Sequence, residues 1–484
     1  MNVNLIVALS KNYAVKYDDS CPDSCPFASK DYYDIFEEKT KDGVVIMGRN
    51  TYESLPLTKR PLGSAVNIVL SNDHPKYGHL NNERLVFADM FGLMNRIAPQ
   101  YGQKQFWVIG GLSVYEALWN QCNKIVIVHL DKNAPVPGVS STSQTDRKVF
   151  FPDISPVFEL QSFTEPKWSE DNRCKYRVLH YVRNSKSKCA FQESQYLQTL
   201  RNLLLNGQAR DDRTGVGTLS LFGGQQTYDV SQYLPLLTTK FVPINLIIKE
   251  LLWFLSGSTD AKVLQSQGVH IWDGNSSREF LDKRGLDHYE VGDIGPMYGH
   301  LWTSFGSAYE GCDKDYAGKG YDQIRYVLDL LRNDPFSRRI LMTAWNPPDL
   351  DKMALAPCHV LFQLYVEEDP NTHVRYVSGH LYQRSSDYFL AANYNLVSYT
   401  ILLYILCKKV GYYPKNMIMS FGDCHIYKNH VEQVKTQLGR NPRPQPILLL
   451  NDSITEKDLR DITVADFELV GYLPQPAIKA TMAI

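Results

Sequence analysis

The sequence predicts two successive units, an α/β unit and then an α+β unit. Three observations predict this. The chain has 484 residues, enough for two or three separate cores. Its first third alternates short β-branched runs with helical patterns, the signature of an α/β sheet. A Ser/Lys-rich stretch, Asn184–Cys189, then separates this part from a region of longer helices and Gly-rich turns.

Val3–Leu9, Val44–Met47, Val66–Leu70, Phe106–Ile109 and Ile125–Leu130 read as buried strands. Ser113–Trp119 reads as a helix, because Val114, Ala117 and Leu118 share a face. Val136–Arg147 is a polar Pro/Gly/Ser/Thr loop, and Tyr176–Val182 is strand-like. The boundaries expected from this pass are a unit over 1–183, a linker over 184–192 and a unit over 193–484. The second unit opens with a helix near Ser194–Asn206, continues through the Gly-rich Arg213–Gly224, and has an apolar helix at Ile244–Phe254. Tyr309–Tyr321, rich in Gly, Asp and Tyr, reads as a surface insertion. Neither repeats nor low-complexity tracts interrupt the chain.

Composition narrows the function classes. Hydrophobic content of 44% and charged content of 21% are ordinary for a soluble globular protein. The net charge is −1, and residues 1–183 hold 21 Lys+Arg against 20 Asp+Glu, so no basic module points to DNA. The longest apolar stretch, Leu396–Cys407, is too short to span a bilayer. Leu5–Leu9 lacks a cleavage-like sequence and resembles a core strand more than a signal peptide. The nine cysteines form no framework, and Cys21 and Cys25 lack a second pair at metal-ligand spacing. The expectation is a cytoplasmic protein with no metal and no membrane contact.

Any anion site must then be a local cluster. Arg210, Arg213, Arg338, Arg339 and Arg384 stand beside Gly, Ser, Thr or Asp rather than on polar helix faces. A phosphate dianion needs several convergent guanidiniums, each a planar fork of donors. Ala356-Pro357-Cys358-His359 is a candidate nucleophile segment. Cysteine attacks as thiolate, and a nearby guanidinium lowers its pKa. By themselves Cys358 reads more often as a buried small hydrophobe and His359 as a structural histidine.

Longer motifs go further. Arg210-Asp-Asp-Arg-Thr-Gly-Val-Gly-Thr-Leu-Ser-Leu-Phe-Gly223 resembles the phosphate-binding loop of thymidylate synthases. Leu236-Leu-Thr-Thr-Lys240, Lys249-Glu-Leu-Leu-Trp-Phe-Leu255 and Asp293-Ile-Gly-Pro-Met-Tyr-Gly299 resemble that family's next blocks. Asp334–Arg339, Ala344-Trp-Asn346, Met353-Ala-Leu-Ala-Pro-Cys-His359 and Leu381-Tyr-Gln-Arg-Ser-Ser-Asp387 follow in order. Gly422-Asp-Cys-His-Ile-Tyr427, Pro442-Arg-Pro444 and Ile478-Lys-Ala-Thr-Met-Ala-Ile484 complete a resemblance over about residues 193–484.

That resemblance implies methylation of dUMP to dTMP with 5,10-methylenetetrahydrofolate. Cys358 would attack C6 of the uracil, with Glu250, Tyr298 and Arg384 as further catalytic residues. Arg213, Arg384, Gln383 and Ser385 would bind the nucleotide, and Arg338 and Arg339 would reach the site of a second subunit, implying a homodimer. Asn395 would read the uracil edge, and His425 and Tyr427 the ribose. Trp272, Asp387, Ala391 and the terminal Ile484 would contact the folate. The chain departs from the family at Tyr388-Phe-Leu-Ala-Ala-Asn-Tyr-Asn395, where Ala391 replaces a glycine and Asn393-Tyr394 replace Pro-Phe. The added methyl group is expected to crowd the folate.

Val45-Ile-Met-Gly-Arg-Asn-Thr-Tyr-Glu-Ser54, Asn67-Ile-Val-Leu-Ser71 and Trp107-Val-Ile-Gly-Gly-Leu-Ser-Val-Tyr115 resemble dihydrofolate reductases over roughly residues 3–183. Together the two parts resemble the fused dihydrofolate reductase–thymidylate synthases of protists and plants. The resemblance implies that Arg49, Thr51, Ser71, Gly110 and Gly111 face NADPH. The folate side departs from the pattern. Tyr32 stands at the pterin-binding acid, with Asp31 one residue early; Cys25-Pro-Phe27 stands for Leu-Pro-Trp, Val128 for a threonine, and Ala65 for the arginine that grips the folate carboxylate. The expectation is an active synthase fused to a reductase-like domain that reduces dihydrofolate poorly. Two alternatives stand beside it: a fully bifunctional enzyme with Asp31 as displaced acid, and a non-catalytic interaction subunit.

Overall fold

The computed structural model describes residues 2–10, 30–63, 65–93, 97–131, 158–169, 174–183 and 188–482. The chain divides into two units, Met1–Ser187 and Lys188–Ile484. Cys21, Cys25, Phe27, the loop 136–147 and Ile484 lie outside the described residues.

The first unit is a nine-stranded mixed sheet. Its strands are β1 (Asn2–Leu9), β2 (Val44–Gly48), β3 (Val66–Leu70), β4 (Leu85–Ala88), β5 (Gln105–Gly110), β6 (Lys124–Leu130), β7 (Phe158–Phe163), β8 (Lys167–Trp168) and β9 (Lys175–Arg183). The order is β4-β3-β2-β5-β1-β6-β9-β7, with β8 on β9. The strands from β4 to β6 run parallel, whereas β9 is antiparallel to β6, β7 and β8. β1 is central and buried on both faces, with Leu5, Ile6 and Val7 inaccessible, which explains its unbroken apolar run. The helices Lys30–Thr40, Arg49–Ser54 and Leu112–Leu118 belong to this unit.

The second unit opens with the helix Lys188–Asn206. It starts earlier than the sequence pattern indicates, so residues 188–192, read as linker, belong to its first turns. A six-stranded sheet follows in the order β10 (Gln208–Arg210), β11 (Thr218–Asp229), β15 (Tyr413–Tyr427), β14 (Arg375–Asp387), β13 (His359–Glu368) and β12 (Leu341–Thr343). Only the β14–β15 pairing is parallel. A small pair, β16 (Ile447–Leu450) and β17 (Phe467–Val470), completes the strands. The apolar stretch 396–407 lies within the helix Ala392–Val410, which is core on almost every side and ends on Gly411 in the left-handed conformation. Among the described residues no helix is long and apolar enough to cross a membrane.

Candidate active site

In the second unit, Cys358 lies at the entry to β13, the strand that pairs with β14, which carries Gln383, Arg384, Ser385 and Asp387. The backbone N–H groups of Cys358 and His359 both donate to Tyr298 Oη, at 2.8 and 3.3 Å. Arg384 clasps the same segment from the other side. Its Nε and Nη2 donate to the carbonyls of Pro357 (2.8 Å) and Ala356 (2.7 Å), and its N–H donates to the Cys358 carbonyl at 3.0 Å. Arg384 also stacks over Trp345 at 5.6 Å, so its guanidinium is fixed before any ligand arrives.

Burial pushes the Cys358 thiol up, and the charges of Arg384 and Arg213 oppose this without reversing it. The guanidiniums act in the direction expected of them, but the loss of water on burial outweighs both. Arg213 lies over the Phe280 ring at 5.7 Å. Its loop is shaped by Asp212, which accepts hydrogen bonds from Thr214 N–H (2.9 Å), Thr214 Oγ1 (2.6 Å) and Gly217 N–H (2.7 Å). Arg210 is exposed and pairs with Asp423 at 3.2 Å, on the solvent side of the same region.

The surroundings of Tyr298 combine aromatic rings, Phe254, Trp272 and His359, with a few polar groups. Glu250, on the helix Ile244–Leu255, accepts a 2.8 Å hydrogen bond from Trp272 Nε1. Burial pushes its carboxyl up to about 7, against that bond. His359 stacks on Tyr298 at 4.8 Å, and the Asn395 side chain acts on its ring against the effect of burial. Burial brings the His359 pKa down to about 4, so it is neutral at ordinary pH. Gln383 is fully buried, and both polar atoms of its amide lack a partner among the described residues, as does Ser386 Oγ. His425 Nδ1 is 2.8 Å from Asp423 Oδ1, and its ring meets Tyr427 edge-on at 5.3 Å.

Asp387 Oδ1 accepts from the N–H groups of Phe389 (3.2 Å) and Leu390 (3.1 Å), closing the turn into the helix Ala392–Val410. Ala391 precedes that helix at φ −102°, a conformation open to any residue, so its methyl group brings no backbone strain. Asn393 is structural: its Nδ2 donates to the Pro235 carbonyl at 2.8 Å and its Oδ1 accepts from Leu237 N–H at 3.3 Å. The C-terminal segment is tethered nearby, with His430 Nε2 donating to the Thr481 carbonyl at 2.7 Å. Arg338 and Arg339 are exposed, and neither guanidinium makes a hydrogen bond or ion pair among the described residues.

In the first unit, the C-terminal ends of parallel strands gather Arg49 after β2, Ser71 after β3 and Gly110-Gly111 at β5, where open α/β sheets bind ligands. Gly110 has φ +134°, and a side chain on Gly111 would come within 3.2 Å of Thr51 Oγ1. The Arg49 guanidinium donates to Tyr77 Oη at 3.0 Å. Away from this edge, Tyr32, Ala65 and Val128 fall in one apolar cluster with Ile6 and Phe36. Tyr32 is 5% exposed and stacks on Phe36 at 6.3 Å. Asp31 accepts from Tyr176 Oη at 3.4 Å, at the rim of that cluster.

A family model for thymidylate synthase matches residues 194–484, and one for dihydrofolate reductase matches residues 2–183. A bifunctional dihydrofolate reductase–thymidylate synthase of Paramecium tetraurelia is 35% identical over 489 residues, covering 99% of this chain and 98% of that protein. One from Zea mays is 35% identical over 516 residues, covering 100% of the chain and 97% of that protein. The chain belongs to the bifunctional dihydrofolate reductase–thymidylate synthase family. A thymidylate synthase of human herpesvirus 8 is 49% identical over 293 residues, covering 60% of the chain and 85% of that protein. The second unit is thus a thymidylate synthase domain, a methyltransferase that uses methylenetetrahydrofolate, and the first is a dihydrofolate reductase domain, a type that uses NADPH.

Three residues that help shape the candidate site lie outside those the sequence points to. Asp212 was inside a recognised motif, and its Asp-x-Thr-Gly context is the signal of a side-chain-closed turn. Asn393 stood out only as a departure from Pro. Lys240 packs its ammonium over the Phe389 ring at 3.8 Å and donates to the Phe389 carbonyl, and burial brings its pKa down to about 7. No local pattern reveals that contact, because 149 residues separate the partners.

Proposed function

We propose that the synthase domain converts dUMP to dTMP through covalent attack by Cys358 on C6 of the uracil. The observation that carries this reading is the Cys358 segment clamped between Tyr298 Oη and the Arg384 guanidinium, beside a carboxyl poised near neutrality. Arg384 and Arg213 favour the thiolate. Addition of sulfur at C6 leaves C5 electron-rich. The bound folate supplies the one-carbon unit and the hydride that reduces it. Glu250, titrating near pH 7, exchanges protons with the pyrimidine through water. Asn395, oriented by neutral His359, reads the uracil edge. Gln383 offers a buried donor and acceptor to the nucleotide. His425 and Tyr427 take the ribose, and Arg213, Arg384 and Ser385 the phosphate. Trp272 and Asp387 border the folate side, with Ala391 and, after closure, Ile484. Cys358→Ala should abolish dTMP formation while leaving dUMP affinity largely intact; residual turnover within about tenfold of the parent would refute the nucleophile assignment.

A homodimer built through the synthase sheet fits the exposed face of β13 and β14. Tyr365 and Tyr382, 63% and 38% exposed, lie on one face by strand register, while Phe362 and Leu381 on the other face are core. Exposed Arg338 and Arg339 would supply phosphate ligands to the partner's site. Cys122, Cys312, Cys358, Cys407 and Cys424 form no disulfide among the described residues, which supports a reducing, cytoplasmic setting. The domain limits we propose are 1–183 and 188–484, with the helix Lys188–Asn206 as the start of the synthase domain.

The reductase domain is read as retaining its nucleotide edge and losing most of its folate chemistry. Arg49, Thr51, Ser71 and the Gly110-Gly111 turn fit a dinucleotide. At the folate side, Tyr32 has a phenol whose unperturbed pKa is about 10, a weak proton source for hydride transfer to a pterin. Removing a charged partner costs on the order of 1.5–3 kcal/mol, and Ala65 forfeits a similar amount. Together this predicts roughly two to four decades in efficiency. Dihydrofolate-dependent NADPH oxidation by the purified chain tests it. Robust turnover that vanishes in Asp31→Asn would make Asp31 the acid and the enzyme fully bifunctional.

A further inference from the structure

Most of residues 309–321 are exposed, as expected of a surface insertion, yet two of its tyrosines turn inward. Tyr309 Oη donates to Asp293 Oδ1 at 2.6 Å and is 2.8 Å from Thr259 Oγ1. Its ring stacks on Tyr316 at 5.7 Å, and the two rings meet buried His300 edge-on at 5.2 and 4.5 Å. Asp293 is only 2% exposed. The same carboxylate accepts from Gly295 N–H at 2.7 Å and from Cys312 N–H at 3.1 Å. One buried carboxylate thus clasps the insertion on one side and the turn 293–297 on the other.

That turn leads directly into Tyr298, the first residue of the helix Tyr298–Ser304. It is also tied to the loop before the nucleophile. Ala354 N–H donates to the Ile294 carbonyl at 3.0 Å, and a side chain on Gly295 would collide with the Lys352 carbonyl. Tyr298 Oη in turn holds the backbone of Cys358 and His359. A continuous set of short contacts therefore runs from the surface insertion to the reacting cysteine.

We infer that the insertion is a positioning device for the synthase reaction, with Tyr309 acting through Asp293 and the turn 293–297 to fix Tyr298 and the Cys358 backbone. This rests on the reading of Cys358 as nucleophile. A purely structural insertion would change the amount of folded protein and leave the kinetics of the folded fraction alone. A positioning role lowers kcat at nearly constant dUMP affinity, because sub-ångström displacement of a reacting group costs rate more than binding.

The test uses the full-length chain. Tyr309→Phe should lower kcat about tenfold, with dUMP affinity by calorimetry unchanged within about twofold. Asp293→Asn can still accept from Gly295 and Tyr309, so it should lose less than Tyr309→Phe, and Asp293→Ala should lose more. The deciding measurement is a double-mutant cycle. In a Tyr298→Phe background the added Tyr309→Phe change should cost less than about twofold, because the group it positions is gone. A full tenfold cost there, or an unchanged kcat in Tyr309→Phe, overturns the inference. Should Tyr309→Phe fail to fold, Thr259→Val removes the other contact of the Tyr309 hydroxyl and carries the same cycle. Cys358→Ala in the same series separates the two failures. Turnover there sinks the nucleophile reading, whereas a dead Cys358→Ala with an additive cycle sinks only the positioning role.

Discussion

Glu250 is the residue whose environment most changes its chemistry. An unfolded glutamate titrates near 4.3, whereas burial beside Trp272 pushes this one up to about 7. Between those values the native state holds more protons than the unfolded chain. The contribution of Glu250 to stability is therefore complete at low pH and declines as pH rises towards 7, by at most roughly 1.4 kcal/mol per pH unit. Glu250→Gln should remove that slope, measured by urea denaturation at about pH 5 and about pH 7. It should also lower kcat by roughly 10²- to 10⁴-fold, the usual contribution of a placed acid–base group. An unchanged kcat would mean that Glu250 only supports Trp272.

At the scale of elements, the helix Ala392–Val410 connects the core to the site. Its buried positions anchor the domain, and its first turn delivers Asn395 to His359. Asn393 fixes that first turn to the chain at 235–237 through two buried hydrogen bonds. Asn393→Ala leaves a buried carbonyl and a buried N–H unpaired, so it should destabilise the domain by about 1–3 kcal/mol, read as a lower urea midpoint with an unchanged m-value. If the midpoint does not move, water replaces both contacts and the side chain is dispensable. The departure from the family pattern at this helix is thus compensated within the chain, since Ala391 needs no special backbone conformation and Asn393 finds its own partners.

At the scale of the whole molecule, a shared-site dimer makes a prediction that no single chain can satisfy. Inactive Cys358→Ala chains mixed with inactive Arg338→Ala/Arg339→Ala chains should regain synthase activity. A mixed dimer contains one site with an intact cysteine and intact borrowed guanidiniums. Demonstrably mixed dimers without recovery would count against borrowed arginines.

Legibility in the sequence follows the range of the interactions involved. Strands β1, β2, β3, β5 and β6 could be read from apolar runs, because burial on two faces leaves a contiguous signature. The helix Ile244–Leu255 was legible for the same reason, and the motif residues Cys358, Arg213 and Arg384 stood in segments long enough to identify the family. The sequence alone therefore determined the two units, their fold classes and the synthase chemistry. Tertiary structure decided what depends on distant partners. The thiol of Cys358 is raised rather than lowered because packing removes water from it. Lys240 loses its ordinary basicity through burial against Phe389, 149 residues away. Tyr32, Ala65 and Val128 converge in one apolar cluster only once three separate elements pack. The insertion, polar and Gly-rich to the eye, is tied to the active site because Asp293 gathers hydrogen bonds from both sides of a turn. Desolvation and long-range hydrogen bonding are properties of the folded arrangement, and no local pattern encodes them.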